Sequence, residues 1–275
     1  MTGSAPSGAV ERFLTVRGLR HCVDEWGAGP AVLLAHGMWC DSGMFTALAR
    51  RLAPRARVIA PDFRAHGRTE VPDAPWTIGD LADDLAALLD QLKIGSAVLA
   101  GFSMGGMAAV EFALRYPERL SGLVLIGTSA AGEDLVRLLQ IRSLARVIDL
   151  AGPARFLPAE AARATFSARF RKKNREEIRR WESVVRAMPR EALSQSLRAV
   201  GGRRHLLGQL DKITAPVTII AGAADRVVRP RLSEMMHRRI PGSKLLILPG
   251  AGHAVPTEQP EEVARAIEAL LPRAG

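Results

Sequence analysis

Residues 97–107 read Ala97-Val98-Leu99-Ala100-Gly101-Phe102-Ser103-Met104-Gly105-Gly106-Met107, and the architecture turns on them. The first half is a short, continuous apolar run, the pattern of a strand covered on both faces. The second half is Gly-x-Ser-x-Gly, and the segment from Met104 to just before Pro117 predicts a helix. Small residues beside Ser103 permit a tight, strained turn that projects its hydroxyl beyond the carboxyl end of the strand. The helix N-terminus that follows favours negative charge at the same point. Ser103 is therefore a candidate nucleophile; the bland alternative is a glycine-rich turn with an idle hydroxyl.

Five similar apolar runs surround this one: Ala31–Ala35, Arg57–Ala60, Leu123–Ile126, Val217–Ala221 and Lys244–Leu248. Between them lie helix signals. Thr77-Ile78-Gly79-Asp80 forms a plausible capping box ahead of Leu81, Leu85, Leu88, Leu89 and Leu92 at helical spacing, and a last helix begins near Pro260. Strands alternating with helices predict an α/β fold with a mostly parallel, doubly wound sheet. The alternation stops between Gly127 and about Asp211, where helix-like stretches at 133–150, 159–170, 174–188 and 190–200 follow one another. This predicts a core domain of residues 1–130 and 211–275, with residues 131–210 inserted between two strands as an all-helical cap.

The chain has 275 residues, of which 48% are apolar, enough for a sizeable core. No apolar run reaches the roughly 20 residues that cross a bilayer, and the first residues lack the basic and apolar regions of a secretory signal. Cys22 and Cys40 form neither a disulfide framework nor a zinc pattern. The expectation is a soluble, cytoplasmic protein without a metal, with no membrane partner and with its oligomeric state left open. The net charge of +10 is concentrated: residues 131–210 carry 17 Lys and Arg against 8 Asp and Glu, and the remainder is nearly balanced. With one Tyr and few aromatics, the basic segment reads as a solvated helical face or an anion-attracting surface rather than a nucleic-acid site.

In open parallel sheets, ligands gather beyond the carboxyl ends of the strands. The runs here are followed by His36-Gly37-Met38-Trp39, Asp62, Ser103, Thr128-Ser129, Asp225 and His253. A serine hydroxyl needs a base within hydrogen-bond reach, itself oriented by a carboxylate. His253, in the small-residue loop Pro249-Gly250-Ala251-Gly252-His253, is the preferred base, and Asp225 the preferred acid. Asp62 is the rival acid, though it precedes the serine and suits bracing of the Asp62–Arg68 loop. His21 belongs to an early antiparallel strand, His205 to the insertion and His237 to a helix, while His36 and His66 read as loop shapers. Backbone N–H groups of Met38 and Met104 are the candidate oxyanion donors. Trp39, Phe102 and Trp181 are candidates to line a substrate pocket, with buried packing the alternative for the last two.

Taken together, His36-Gly37, the Asp62–Arg68 loop, Gly101–Gly105, Asp225 and Gly252-His253 resemble the α/β-hydrolase fold from about Phe13 to Leu271. The segments Trp76–Asp90 and Gly101–Met107 most resemble 3-oxoadipate enol-lactonases and related small esterases. Such relatives commonly have glycine where this chain has Ala65. The resemblance implies a serine hydrolase acting on a small-molecule ester or lactone through a Ser-His-Asp triad, with no cofactor. Serine at position 103 argues against the carboxylate-nucleophile branches, the epoxide hydrolases and haloalkane dehalogenases. A carbon–carbon bond hydrolase, a thioesterase, or a non-catalytic receptor on the same fold are the competing readings.

Overall fold

A computed structural model describes residues 7–272. Strands β1 (Val10–Val16), β2 (Leu19–Trp26), β3 (Ala31–Ala35), β4 (Arg57–Pro61), β5 (Ala97–Phe102), β6 (Leu120–Ile126), β7 (Val217–Gly222) and β8 (Lys244–Leu248) form one sheet in the order β1-β2-β4-β3-β5-β6-β7-β8. β2 pairs antiparallel with β1 and β4, and β3 to β8 are parallel. The helices are α1 (Thr46–Leu52), α2 (Ile78–Gln91), α3 (Met104–Arg115), α4 (Leu135–Ala151), α5 (Leu157–Thr165), α6 (Ala168–Lys173), α7 (Arg175–Ala187), α8 (Arg190–Gly201), α9 (Pro230–His237), α10 (Val255–Glu258) and α11 (Pro260–Glu268). None of the helices described is long and apolar enough to cross a membrane.

Chain direction explains where a ligand would sit. From β3 through α1 the chain steps one way to β4; from β4 through α2 it returns past β3 to β5. Right-handed crossovers then place α1 and α2 on opposite faces of the sheet. The crevice between the carboxyl ends of β3 and β5 is the topological switch point. His36-Gly37-Met38 leaves β3 there, and Ser103 leaves β5. The register sets Ala35 beside Gly101, so the two exits are neighbours.

Local sequence accounts for the elements. Thr77 caps α2 by accepting from Asp80 N–H, while the Asp80 carboxylate accepts from Thr77 N–H; Leu81, Leu85, Leu88 and Leu89 are buried along one side. The five strands β3 to β7 have interiors closed on both faces, as their continuous apolar runs require. β8 departs from that expectation: Leu246 and Ile247 are exposed, because it is the last strand of the sheet with a single neighbour.

All five helices α4 to α8 fall between β6 and β7. The single helix expected at 159–170 is two. Phe166 and Ser167 are extended, the Ser167 hydroxyl accepts from Phe170 N–H to start α6, and Phe166 is buried against Phe170 and Trp181. A local cap and a buried ring outweigh helical continuation at this point. The helix expected from near Pro260 ends at Glu268, so Leu270 and Leu271 lie just beyond α11.

Backbone packs closely at the start of α3. A Cβ on Gly105 would overlap the Ala35 carbonyl and lie 2.6 Å from the His36 oxygen, and neither backbone group can move aside cheaply. Gly105→Ala is expected to cost about 2 kcal/mol or more in denaturant unfolding.

Candidate active site

Ser103 joins β5 to α3 with φ 51° and ψ −114°, a conformation disfavoured for a residue with a side chain. Its N–H donates to the Ile126 carbonyl (2.9 Å), and its carbonyl accepts from the Thr128 hydroxyl (2.7 Å) and from Met107 N–H (3.0 Å). Bonds on both sides of the residue therefore hold the strained turn, and the side chain is left partly open.

His253 meets it from the loop after β8. The Ser103 hydroxyl lies 3.0 Å from His253 Nε2, and His253 Nδ1 lies 2.7 Å from Asp225 Oδ2. A carboxylate only accepts, so Nδ1 carries the proton and Nε2 presents its lone pair to the hydroxyl. The other oxygen of Asp225 accepts from Val227 and Val228 N–H (2.8 and 2.9 Å), which fixes the carboxylate in the turn after β7. Both Asp225 and His253 are buried. The rival, Asp62, is fully engaged elsewhere: it accepts from Ser42 N–H and from the Arg68 backbone and guanidinium, bracing its own loop.

The remaining histidines do not approach Ser103 through a hydrogen bond. His205 Nδ1 meets Gly132 N–H, His237 contacts the Ser243 hydroxyl, and His21 faces Asp84 from β2. His36 uses both ring nitrogens, donating to Gly37 O and accepting from Phe63 N–H (2.8 Å each). Complete burial lowers its pKa to about 4, and that of His66, which donates to Arg64 O, to about 3. Both rings are neutral struts beneath the site.

A Cβ on Gly37 would lie 2.7 Å from the Phe102 ring and 3.3 Å from the Ser103 Cβ, so the residue before Met38 lies against the serine. Met104 N–H is the first in α3 and has no partner within the helix. Trp39 follows with φ 60° and its indole N–H donates to Leu193 O of α8. Trp181 of α7 directs its indole N–H to Cys40 Sγ, and Arg180 pairs with Asp41. Helices of the insertion thus grip the loop that carries Met38. Phe102 lies 4.8 Å from the His253 ring, centroid to centroid. Trp39, Phe102 and Trp181 are all buried, as the packing alternative anticipated for the last two.

Among the described residues one cluster has metal-ligand chemistry: Glu11, Cys22 and Asp24 bring their ligand atoms within 4.8 Å of one another. The Arg68 guanidinium pairs with both Glu11 and Asp24, and burial pushes the Cys22 thiol pKa up, so a cation is already present and the thiol stays protonated. These residues do not fit a metal ion.

The alpha/beta hydrolase family model matches residues 32–266. The chain belongs to the alpha/beta hydrolase family. It is 31% identical to a 2-(acetamidomethylene)succinate hydrolase of Mesorhizobium japonicum over 89% of both chains, and 27% identical to a 3-oxoadipate enol-lactonase of Acinetobacter baylyi, again over 89% of each. An esterase from Thermogutta terrifontis, solved with malate bound, superposes with TM-score 0.88 at 31% identity, covering 95% of this chain and 97% of that one.

Within this alpha/beta hydrolase, several residues around the site carry no motif. Gly127, with φ 52°, sits where a Cβ would lie 3.2 Å from the His253 ring, so its bareness makes room for the imidazole. The Thr165 carbonyl at the end of α5 accepts from His253 and Ala254 N–H, and Glu258 accepts from Gly252 and Ser167 N–H. Thr128 and Gly127 were discoverable as residues following a strand; Thr165 and Glu258 act from distant sequence and give no local signal.

The buried histidines set an acid limit. Unfolded, each titrates near 6.5; folded, His36 and His66 resist protonation down to about 4 and about 3. The unfolded chain binds more protons below pH 6.5, so the stability these neutral rings contribute is present above that value and is lost as pH falls toward 4. Melting scans should show a midpoint that declines by several degrees over this interval; a flat midpoint would contradict the neutral-strut assignment.

Proposed function

We propose that this hydrolase cleaves a carboxylic ester or lactone of a small molecule by acyl transfer through Ser103. The supporting observation is the chain of contacts from the Ser103 hydroxyl through His253 to Asp225, located at the switch point of the sheet. Ser103 attacks the carbonyl carbon while His253 Nε2 takes its proton, and Asp225 stabilises the resulting imidazolium. The oxyanion is received by Met38 and Met104 N–H, with the N-terminus of α3 behind it. His253 then returns the proton to the leaving alcohol, or to the ring-opened hydroxyl of a lactone. It next activates water, which attacks the acyl carbon and frees Ser103.

Residues 131–210 act in this reading as a helical cap over a core of residues 1–130 and 211–275. Trp39 and Phe102 form the wall nearest the reacting atoms, with Trp181 packed behind the oxyanion loop. A basic cap favours substrates bearing a carboxylate. The relatives named for succinate and oxoadipate chemistry, and the neighbour solved with malate, lean the same way. The buried thiols of Cys22 and Cys40 accord with a cytoplasmic setting.

A fluorophosphonate probe should label the protein, and Ser103→Ala should abolish labelling and lower kcat by roughly 10⁵. No labelling of the folded protein would favour a receptor role. A panel of p-nitrophenyl esters, lactones, thioesters and β-diketones, with Ser103→Ala as control, separates ester and lactone hydrolysis from thioester or carbon–carbon cleavage. Asp225→Asn should lower kcat by about 10⁴ with little change in unfolding midpoint; near-normal turnover would remove Asp225 from its role.

A further inference from the structure

Helix α4 is apolar on two opposite sides. Ile141, Ala145 and Ile148 are buried on the side that packs against α8. Val136, Leu139, Ser143, Val147 and Leu150 recur at spacings of three, four, four and three, which places them together on the opposite side. The four apolar members of this outer stripe are each more than half exposed, as are Leu135 at the start of the helix and Phe156 just after it. A surface helix ordinarily turns a polar face to water. Here an apolar strip interrupted at its middle by Ser143 runs along four turns, and grouped apolar exposure of this kind marks an interaction surface.

The charges beside the strip identify what it meets. Arg142, Arg146 and Arg155 are exposed and, among the described residues, none forms an ion pair within 4 Å, although Arg146 lies near enough to Asp149 to help hold its carboxyl pKa down. The acids nearby are occupied: Asp149 pairs with Arg198, Glu133 pairs with Arg203, and Asp134 caps the helix through Arg137 N–H. A second copy of the chain pressed face to face on this strip would bring arginines toward arginines with no free acid between them. An anionic bilayer supplies both missing partners, acyl chains for the leucines and valines and phosphate groups for the guanidinium ions.

We propose that the outer face of α4, with Phe156, docks this hydrolase on an anionic lipid surface. The helix lies in the plane of the interface and does not cross it. The apolar strip enters the boundary between headgroups and acyl chains, and Arg142, Arg146 and Arg155 reach the phosphates. Attachment through α4 does not depend on the reaction performed.

Co-sedimentation with sucrose-loaded vesicles tests this on the full-length protein. Vesicles of phosphatidylcholine mixed with phosphatidylglycerol should carry the protein down, and phosphatidylcholine alone should carry much less. The double variants Leu139→Gln/Leu150→Gln and Arg142→Gln/Arg146→Gln should each weaken partitioning by roughly tenfold or more. Circular dichroism melting confirms that the variants remain folded, and added salt should suppress binding of the native protein. Failure of the folded protein to sediment with either vesicle type would overturn the proposal. So would equal sedimentation of the native protein and both variants, because the basic charge elsewhere on the chain would then be responsible. Sedimentation velocity covers the other occupant: a concentration-dependent dimer abolished by Leu139→Gln/Leu150→Gln, with no vesicle binding, would assign the strip to a second copy and overturn the lipid assignment.

Discussion

Gly105 lets the first turn of α3 rest against the carbonyls of Ala35 and His36, and that contact holds the turn at Ser103. A backbone at φ 51° with a side chain attached costs on the order of 1–3 kcal/mol and persists only where its surroundings over-determine it. The surroundings do so here through the Ile126 and Thr128 bonds and the register of β3 against β5. The same closeness that constrains the turn brings the exits of the two strands together. The strain at Ser103 and the closeness of the β3 and β5 exits are therefore consequences of a single packing arrangement.

Around this point the protein uses buried polar groups as struts. Arg68 joins Glu11, Asp24 and Asp62, and Arg64 lies in a two-bond pair with Asp84, so the loop after β4 is tied to β1, β2 and α2. Desolvation offsets much of the attraction within such buried pairs, so they hold geometry more than they add stability, although removing one partner would leave an uncompensated charge. The insertion adds restraints from the opposite side: Thr165 holds the His253 loop, while Arg180, Trp181 and Leu193 hold the segment from Trp39 to Asp41. Shifts in these helices would reach both the His253 loop and the segment after Met38.

Five of the six apolar runs revealed the parallel sheet because strands covered on both faces have no alternation to disguise them, while β8 kept an apolar run at an exposed edge. The early hairpin was less legible: β1 is largely exposed and its Val-Glu-Arg-Phe pattern is that of an edge strand, so only His21 hinted at it. Ser103, Asp225 and His253 each follow a strand, so the gathering of ligands beyond strand ends singles them out from sequence. Thr165 and Glu258 could not be found in that way, since backbone carbonyls and remote carboxylates acquire a role only when the chain folds. The same limit applied to Ala65. Its departure from the glycine common in similar proteins was visible, but not that its φ is 64°, in the left-handed region where glycine is favoured. The break at Phe166-Ser167 was hidden because an apolar helix-like pattern spans it.

The account depends on a covalent acyl-enzyme at one oxygen. Rapid acid quench of the protein during turnover of a slowly deacylating p-nitrophenyl ester, followed by intact mass and peptide mapping, observes that species directly. The account predicts one acyl group per chain, located on the peptide containing Ser103 and formed in a burst with the first equivalent of p-nitrophenol. Release of p-nitrophenol with no acylated protein, or an acyl group mapped to another residue, would contradict it.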